Sequence, residues 1–175
     1  MPDTKFAADN LFNLLKELSK ADVKYVICGG VACVLHGVER ATYDIDLSVS
    51  LEKSNLEKII EVTKKFGLKP RIPEPVENLF NESKRKEWFE NKGALVYTFV
   101  SNNTPLQLDI FLSYPKSYEE LFENSEEINI DNVKVTVSSI NDLLFAKKLI
   151  EPLRDKDIID LKELERIKTE KNKSG

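Results

Sequence analysis

Two aspartates, Asp44 and Asp46, follow a glycine pair, Gly29-Gly30, across thirteen intervening residues. Side chains at i and i+2 of a strand point to one face, so Asp44-Ile45-Asp46 presents two carboxylates together. The glycines end a strand-like run, Val23 to Cys28, and open a short apolar helix. Backbone N–H groups are free at such a turn, and glycine lets a phosphate approach without a Cβ in the way. A carboxylate claw beside that turn is the chemistry for holding Mg²⁺ and a nucleotide's phosphates together.

Asp109 is the third acid. It lies in the apolar run Leu106-Gln107-Leu108-Asp109-Ile110-Phe111, where a lone buried carboxylate is costly without a partner. If its strand lies beside that of Asp44 and Asp46, three acids converge on one or two divalent ions, Mg²⁺ or Mn²⁺. Two such ions about 4 Å apart stabilise the attacking and the leaving oxygen of an in-line displacement. Asp109 would then help to deprotonate an incoming hydroxyl. An Asp-x-Asp pair alone is commonly solvent-facing; the matching glycine pair and the acid in an apolar strand outweigh that reading.

These residues need elements to position them. Thr4 to Lys20 carries Phe6, Leu11, Leu14, Leu15 and Leu18 at helical spacing, which predicts an amphipathic first helix. Val23–Cys28 and Tyr43–Ser50 read as strands, with a short helix over Val31–Gly37. Ser54-Asn55-Leu56-Glu57 resembles a capping box opening a helix that Gly67 closes. Residues 68–91, with Pro70, Pro73 and Pro75, read as a covering segment with one or two short helices. Gly93–Val100 and Leu106–Leu112 form a hairpin pattern, Tyr118–Phe122 a helical turn, and 127–130 with 133–137 a tighter hairpin around Asp131-Asn132. Ser138-Ser139 caps a helix from Ile140 to about Glu151, limited by Pro152, and a last helix runs from Asp155 to about Lys168.

At 175 residues one domain is expected, over residues 1–168, with 169–175 a frayed, disordered tail. A chain of this length buries roughly 70% of its unfolded surface and needs no disulfide or structural metal. Cys28 and Cys33 match no zinc spacing and read as buried thiols. The net charge of −4 argues against a non-specific nucleic-acid coat, and Lys84-Arg85-Lys86 reads first as a solvated charge run. With no signal core and no run of about 18 apolar residues, the reading is a cytoplasmic protein without a membrane partner.

Gly-Gly, thirteen residues, Asp-x-Asp and a third Asp on a later strand resemble the signature of the DNA polymerase beta superfamily of nucleotidyltransferases. The fuller pattern, Gly-Gly-x-Ala…His-Gly-x-x-Arg-x-Thr-x-Asp-x-Asp-Leu, is similar to its minimal prokaryotic branch, and within it to AbiEii-type nucleotidyltransferase toxins. Asp142 to Leu149 and the run Arg154 to Leu161 fit the same branch. The resemblance implies a mixed α/β (α+β) fold, a twisted sheet backed by helices with extra C-terminal helices. It implies metal binding by Asp44, Asp46 and Asp109, and nucleotide phosphate contact at Gly29, Gly30 and a lysine of the C-terminal helix. Leu143 and Ile150 flank Lys147 at i−4 and i+3, so Lys147 projects from the half-buried face and is preferred to Lys148.

Arg40 and Thr42 are candidates for substrate phosphate, although the Arg40 fork suits a carboxylate such as Asp44, or the holding of its own loop, equally well. His36, in an apolar helix, reads as structural. Arg154, Asp157 and Asp160 form either a salt-bridged helix face or part of the closed site. The expected activity is Mg²⁺-dependent transfer of an NMP from an NTP, ATP among them, to an acceptor hydroxyl. By resemblance the acceptor is a tRNA end or a protein, with a cognate antitoxin as partner; the alternatives are an aminoglycoside-type small molecule, or a nucleotide-binding module without catalysis. The oligomeric state stays open.

Overall fold

The computed structural model describes residues 4–174, with side chains from residue 10 onward. The first helix, α1 (Thr4–Lys20), buries Leu11, Leu14, Leu15 and Leu18; the side chain of Phe6 lies outside the described residues. Strand β1 (Tyr25–Cys28) runs directly into α2 (Gly29–Leu35), and β2 (Asp44–Val49) follows. Helix α3 (Lys53–Lys65) starts without the expected capping box: Glu52 is its N-cap, its side chain makes no capping hydrogen bond, and Ser54 lies inside the helix. Asn55 ties the helix start down instead. Its side chain accepts from the Lys24 N–H at 2.7 Å and donates to the carbonyls of Lys24 and Ser50 at 3.0 and 2.8 Å. Tertiary bonds replace the local cap.

The 68–91 segment holds a two-residue edge strand, β3 (Lys69–Pro70), a 3-10 turn over Val76–Phe80, and α4 (Glu82–Lys92). A proline is tolerated in β3 because it is an edge. Strands β4 (Val96–Val100) and β5 (Gln107–Phe111) form the expected hairpin, and α5 (Tyr118–Asn124) precedes the hairpin of β6 (Glu126–Ile130) and β7 (Val133–Val137). Helix α6 (Ile140–Lys148) is capped by Ser139, whose hydroxyl accepts from the Asp142 N–H at 3.1 Å. It stops three residues short of Glu151. Helix α7 (Asp155–Ser174) runs on past Lys168, through the stretch read as a tail. Glu170 of this continuation pairs with Arg166 at 2.8 Å, and Arg166 also reaches back to Glu163 at 3.0 Å, while Lys171 and Lys173 suit the helix C-terminus.

The strands form one mixed sheet in the order β3-β4-β5-β2-β1-β7-β6. Ile45 and Leu47 of β2 and Leu108 and Ile110 of β5 alternate with the acids, so they point to the opposite face. There they join the main core with the leucines of α1 and with Leu56 and Ile59 of α3. On the acid-bearing face a smaller cluster forms over β1, where Leu121 of α5 meets Val26 and Cys28, flanked by Phe111, Tyr114 and Tyr118. One face builds the core; the other is left for chemistry.

Candidate active site

The register places four residues in one row across the sheet: Cys28 opposite Asp46, Asp46 opposite Asp109, and Asp109 opposite Thr98. Strands β2 and β5 run parallel, so Asp44 and Asp46 share a face with Asp109, as the spacing requires. Asp109 is buried, and its Oδ1 accepts from the Thr98 hydroxyl at 2.6 Å. Gln107 Nε2 donates to both of its oxygens, at 3.2 and 3.1 Å. Neither Thr98 nor Gln107 stood out as a site residue in the sequence. The signal was there: Thr98 is the polar residue at the centre of Val96-Tyr97-Thr98-Phe99-Val100, and the hairpin sets it opposite Asp109.

Burial, then the charges of Asp109 and Asp44, push the Asp46 carboxyl up to about 7, and it hydrogen-bonds Asp109. Asp44 is raised by burial and by Asp109, while Lys156 and Arg71 pull it the other way. The row therefore carries more negative charge than its surroundings neutralise. Among the described residues no three His, Cys, Asp or Glu side chains are gathered closely enough to hold a metal ion as they stand. Hard oxygen donors with surplus negative charge are nonetheless the set that suits Mg²⁺, with Asp46 opposite Asp109 in the register and Asp44 on the same face.

The glycine pair serves the chain's own side chains. Gly29 has φ +62°, the left-handed region, and a Cβ there would overlap the Asp46 carboxylate. A Cβ on Gly30 would overlap the Arg40 guanidinium and press on the Thr42 hydroxyl at 3.1 Å. Glycine at both positions thus lets the claw and Arg40 pack against the start of α2.

Arg40 reaches α7 rather than Asp44: Nε lies 2.9 Å from Asp160 Oδ1, and Nη2 donates to Oδ2 at 3.1 Å. Lys147 is buried, with Nζ 2.9 Å from Asp160 and 3.3 Å from Asp157. Arg154 closes the chain on Asp157 with Nε at 2.7 Å. Burial raises the Asp157 carboxyl, but the Arg154 hydrogen bonds and the Lys147 charge more than offset this and hold it at about 2. Lys147 is also near enough to Asp46 for its charge to lower that carboxyl. Asp157 and Asp160, fully buried, bind this network together inside the protein. Lys148 is exposed and pairs with Glu165 at 3.2 Å.

The remaining candidates are structural. His36 Nε2 donates to the Ser138 carbonyl at 2.7 Å, joining α2 to the end of β7. Burial pushes both thiols, Cys28 and Cys33, up to about 12. Lys84 and Lys86 pair with Glu87 and Glu82 within α4, and Arg85 donates to the Leu79 carbonyl.

Among solved structures the fold is shared with nucleotidyltransferases. The lincosamide antibiotic adenylyltransferase LnuA, lincomycin-bound, superposes with a TM-score of 0.61 at 19% identity, over 91% of this chain and 96% of that one. ANT(2'')-Ia in complex with adenylyl-2''-tobramycin gives 0.56 at 14% identity, over 91% of each chain. An antigenic nucleotidyltransferase-like protein from Paracoccidioides brasiliensis gives 0.52 at 16%, over 89% and 75%. No curated protein matches the sequence, and no helix among the described residues is long and apolar enough to cross a membrane. A family model, nucleotidyltransferase of unknown function (DUF6036), matches residues 6–170. With its paired acids and its glycine turn inside that span, the chain belongs to this nucleotidyltransferase family.

Proposed function

We propose that this nucleotidyltransferase moves an NMP from an NTP, ATP in the first instance, onto an acceptor hydroxyl in a divalent-metal-dependent reaction. The carrying observation is Asp46 standing opposite Asp109 on parallel strands, with Asp44 on the same face. Mg²⁺ or Mn²⁺, when held by these three residues, supplies charge stabilisation to the α-phosphate and the leaving pyrophosphate. The Gly29-Gly30 turn and Thr42 take phosphate oxygens through N–H and O–H groups. Asp109, fixed by Thr98 and Gln107, is oriented to take the acceptor proton. The acceptor oxygen bonds to the α-phosphorus as the bond to pyrophosphate breaks, its electron pair leaving with pyrophosphate. Lys147 contacts phosphate only by exchanging Asp157 or Asp160 for it, because both carboxylates already hold its ammonium.

For the acceptor, a small molecule is the better supported reading. The chain matches 96% and 91% of two chains whose structures hold lincomycin and adenylyl-2''-tobramycin. A tRNA end, a protein acceptor and a cognate antitoxin rest on the AbiEii-type resemblance alone. Release of pyrophosphate from ATP with Mg²⁺ tests the reaction: it should occur, stop with a chelator, and vanish in the double variant Asp44→Asn, Asp46→Asn. Unchanged release in that variant sinks the mechanism. Binding of Mg²⁺-ATP by calorimetry without any release identifies a non-catalytic module instead.

A further inference from the structure

A cavity of about 440 Å³ lies at the C-terminal ends of β2 and β5, lined among others by Ser48, Phe111, Ser113, Tyr114, Tyr118 and Glu119. Ser48 is two residues on from Asp46, and Phe111 two on from Asp109, so both share the face of the acids. At about 3.3 Å per residue the cavity opens roughly 7 Å along the sheet from the carboxylates. Its inner wall touches the acid row. Tyr114 packs against the buried cluster that contains Cys28, and Cys28 is the register partner of Asp46.

The walls are held in place. Tyr114 stacks on Phe111 with centroids 4.3 Å apart. Lys116, on the same loop, has its ammonium 2.6 Å from the buried Asp142 carboxylate and over the Phe145 ring at 4.9 Å. Ser117 caps α5. The lining thus offers aromatic and aliphatic side chains, serine hydroxyls and the Glu119 carboxylate, with the Lys116 charge already answered by Asp142. That chemistry suits a ring bearing several hydroxyls, whose C–H faces lie on aromatics while its hydroxyls exchange hydrogen bonds with serines. A volume of this order holds a small molecule of a few rings, not a folded macromolecule.

Its position assigns its role. The glycine turn and Thr42 lie at the end of the claw where β2 begins; the cavity lies where β2 and β5 finish. In an in-line displacement the nucleophile enters opposite the leaving group. With pyrophosphate on the glycine side, the entering hydroxyl comes from the cavity side. Resting on the nucleotidyl-transfer reading above, we propose that this cavity is the acceptor pocket and that it takes a small polyhydroxylated ring compound. The acceptor oxygen forms the new bond to the α-phosphorus, pyrophosphate leaves with the electron pair of the broken bond, and the hydroxyl proton passes through Asp109 to water.

The test uses the full chain with labelled ATP and Mg²⁺, and four probes: methyl glucoside, myo-inositol, tobramycin and lincomycin. At least one probe should yield a nucleotidyl adduct. Filling the cavity with Ser113→Phe, or removing a wall with Tyr118→Ala, should lower the ratio of adduct to hydrolysed nucleotide at least tenfold. Calorimetric binding of Mg²⁺-ATP to each variant checks that it is folded. A ratio unchanged in both variants overturns the pocket. Pyrophosphate release without an adduct to any probe, including a case where only added tRNA is labelled, overturns the small-molecule assignment. No release at all counts against nucleotidyl transfer itself. In that event the pocket is judged without nucleotide, by saturation-transfer NMR of tobramycin: binding lost in Ser113→Phe supports it, and no binding to the unmodified chain overturns it.

Discussion

Arg40 and Asp160, 120 residues apart in sequence, meet as a two-point ion pair that locks the loop after α2 to the last helix. The same carboxylate holds Lys147, so one buried aspartate anchors two cations beside the glycine turn. The C-terminal helices are thereby part of the site's architecture. They fix Arg40 against Gly30, beside which the Thr42 hydroxyl also lies.

Removing Asp160 should cost more than the loss of one contact, because two cations are left short of their carboxylate. Breaking a buried pair from one side costs roughly 3–5 kcal/mol, which for a chain of this size lowers Tm by about 10 °C. Asp160→Ala should show this drop in thermal unfolding. The double variant Asp160→Ala, Arg40→Met should recover part of it, since one stranded charge is gone. A single variant as stable as the parent would mean that the pair is solvated and contributes little.

Two glycines separate backbone strain from steric need. Gly29 and Gly93 have nearly the same φ, +62° and +63°, yet a Cβ at Gly93 meets nothing within 4 Å whereas one at Gly29 overlaps Asp46. Gly93→Ala should cost only the left-handed backbone term, roughly 1–2 kcal/mol, and leave turnover within twofold. Gly29→Ala should displace the Asp46 carboxylate and lower pyrophosphate release about a hundredfold, the scale of a 1 Å misplacement at a reacting centre. Equal turnover in the two variants would refute the steric role of Gly29.

The acid row was legible because it follows from local rules: alternation put Asp44 and Asp46 on one face, and an acid in an apolar strand demanded company. Burial in a parallel pairing with β2 answers that demand for Asp109. The partners of Arg40 and Lys147 were not legible in the same way. A guanidinium answers carboxylate and phosphate with the same fork, and only the docking of α7, a long-range packing event, decides between them. For the same reason Arg154, Asp157 and Asp160 read either as a salt-bridged helix face or as part of the closed site, until Asp157 and Asp160 were seen fully buried with Arg154 exposed above them. Ser54 misled because a capping pattern is local, whereas Asn55 found stronger bonds across the fold. The tail read as frayed for its polarity, but it continues helix α7, with Glu170 paired to Arg166 at i,i+4 spacing.

Two aspartates, the buried Asp157 and the half-buried Asp46, should tilt stability against pH in opposite directions. Asp157 titrates near 2 when folded, against 3.8 as its ordinary value, so it adds stability above about 4 and loses it as pH falls through 2. Asp46 titrates near 7 when folded, so without metal it adds stability below about 4 and loses it as pH rises through 7. Thermal unfolding in a chelator should therefore show an acid limb that Asp157→Asn flattens and a decline from pH 4 towards 8 that Asp46→Asn flattens. A divalent ion competes with the Asp46 proton for the same oxygens. Adding Mg²⁺ should therefore restore stability near pH 8 and do little near pH 5, with proton release measurable by calorimetry in two buffers near pH 6.5. An Asp46→Asn variant that keeps the whole alkaline decline would place the shifted carboxyl elsewhere in the row.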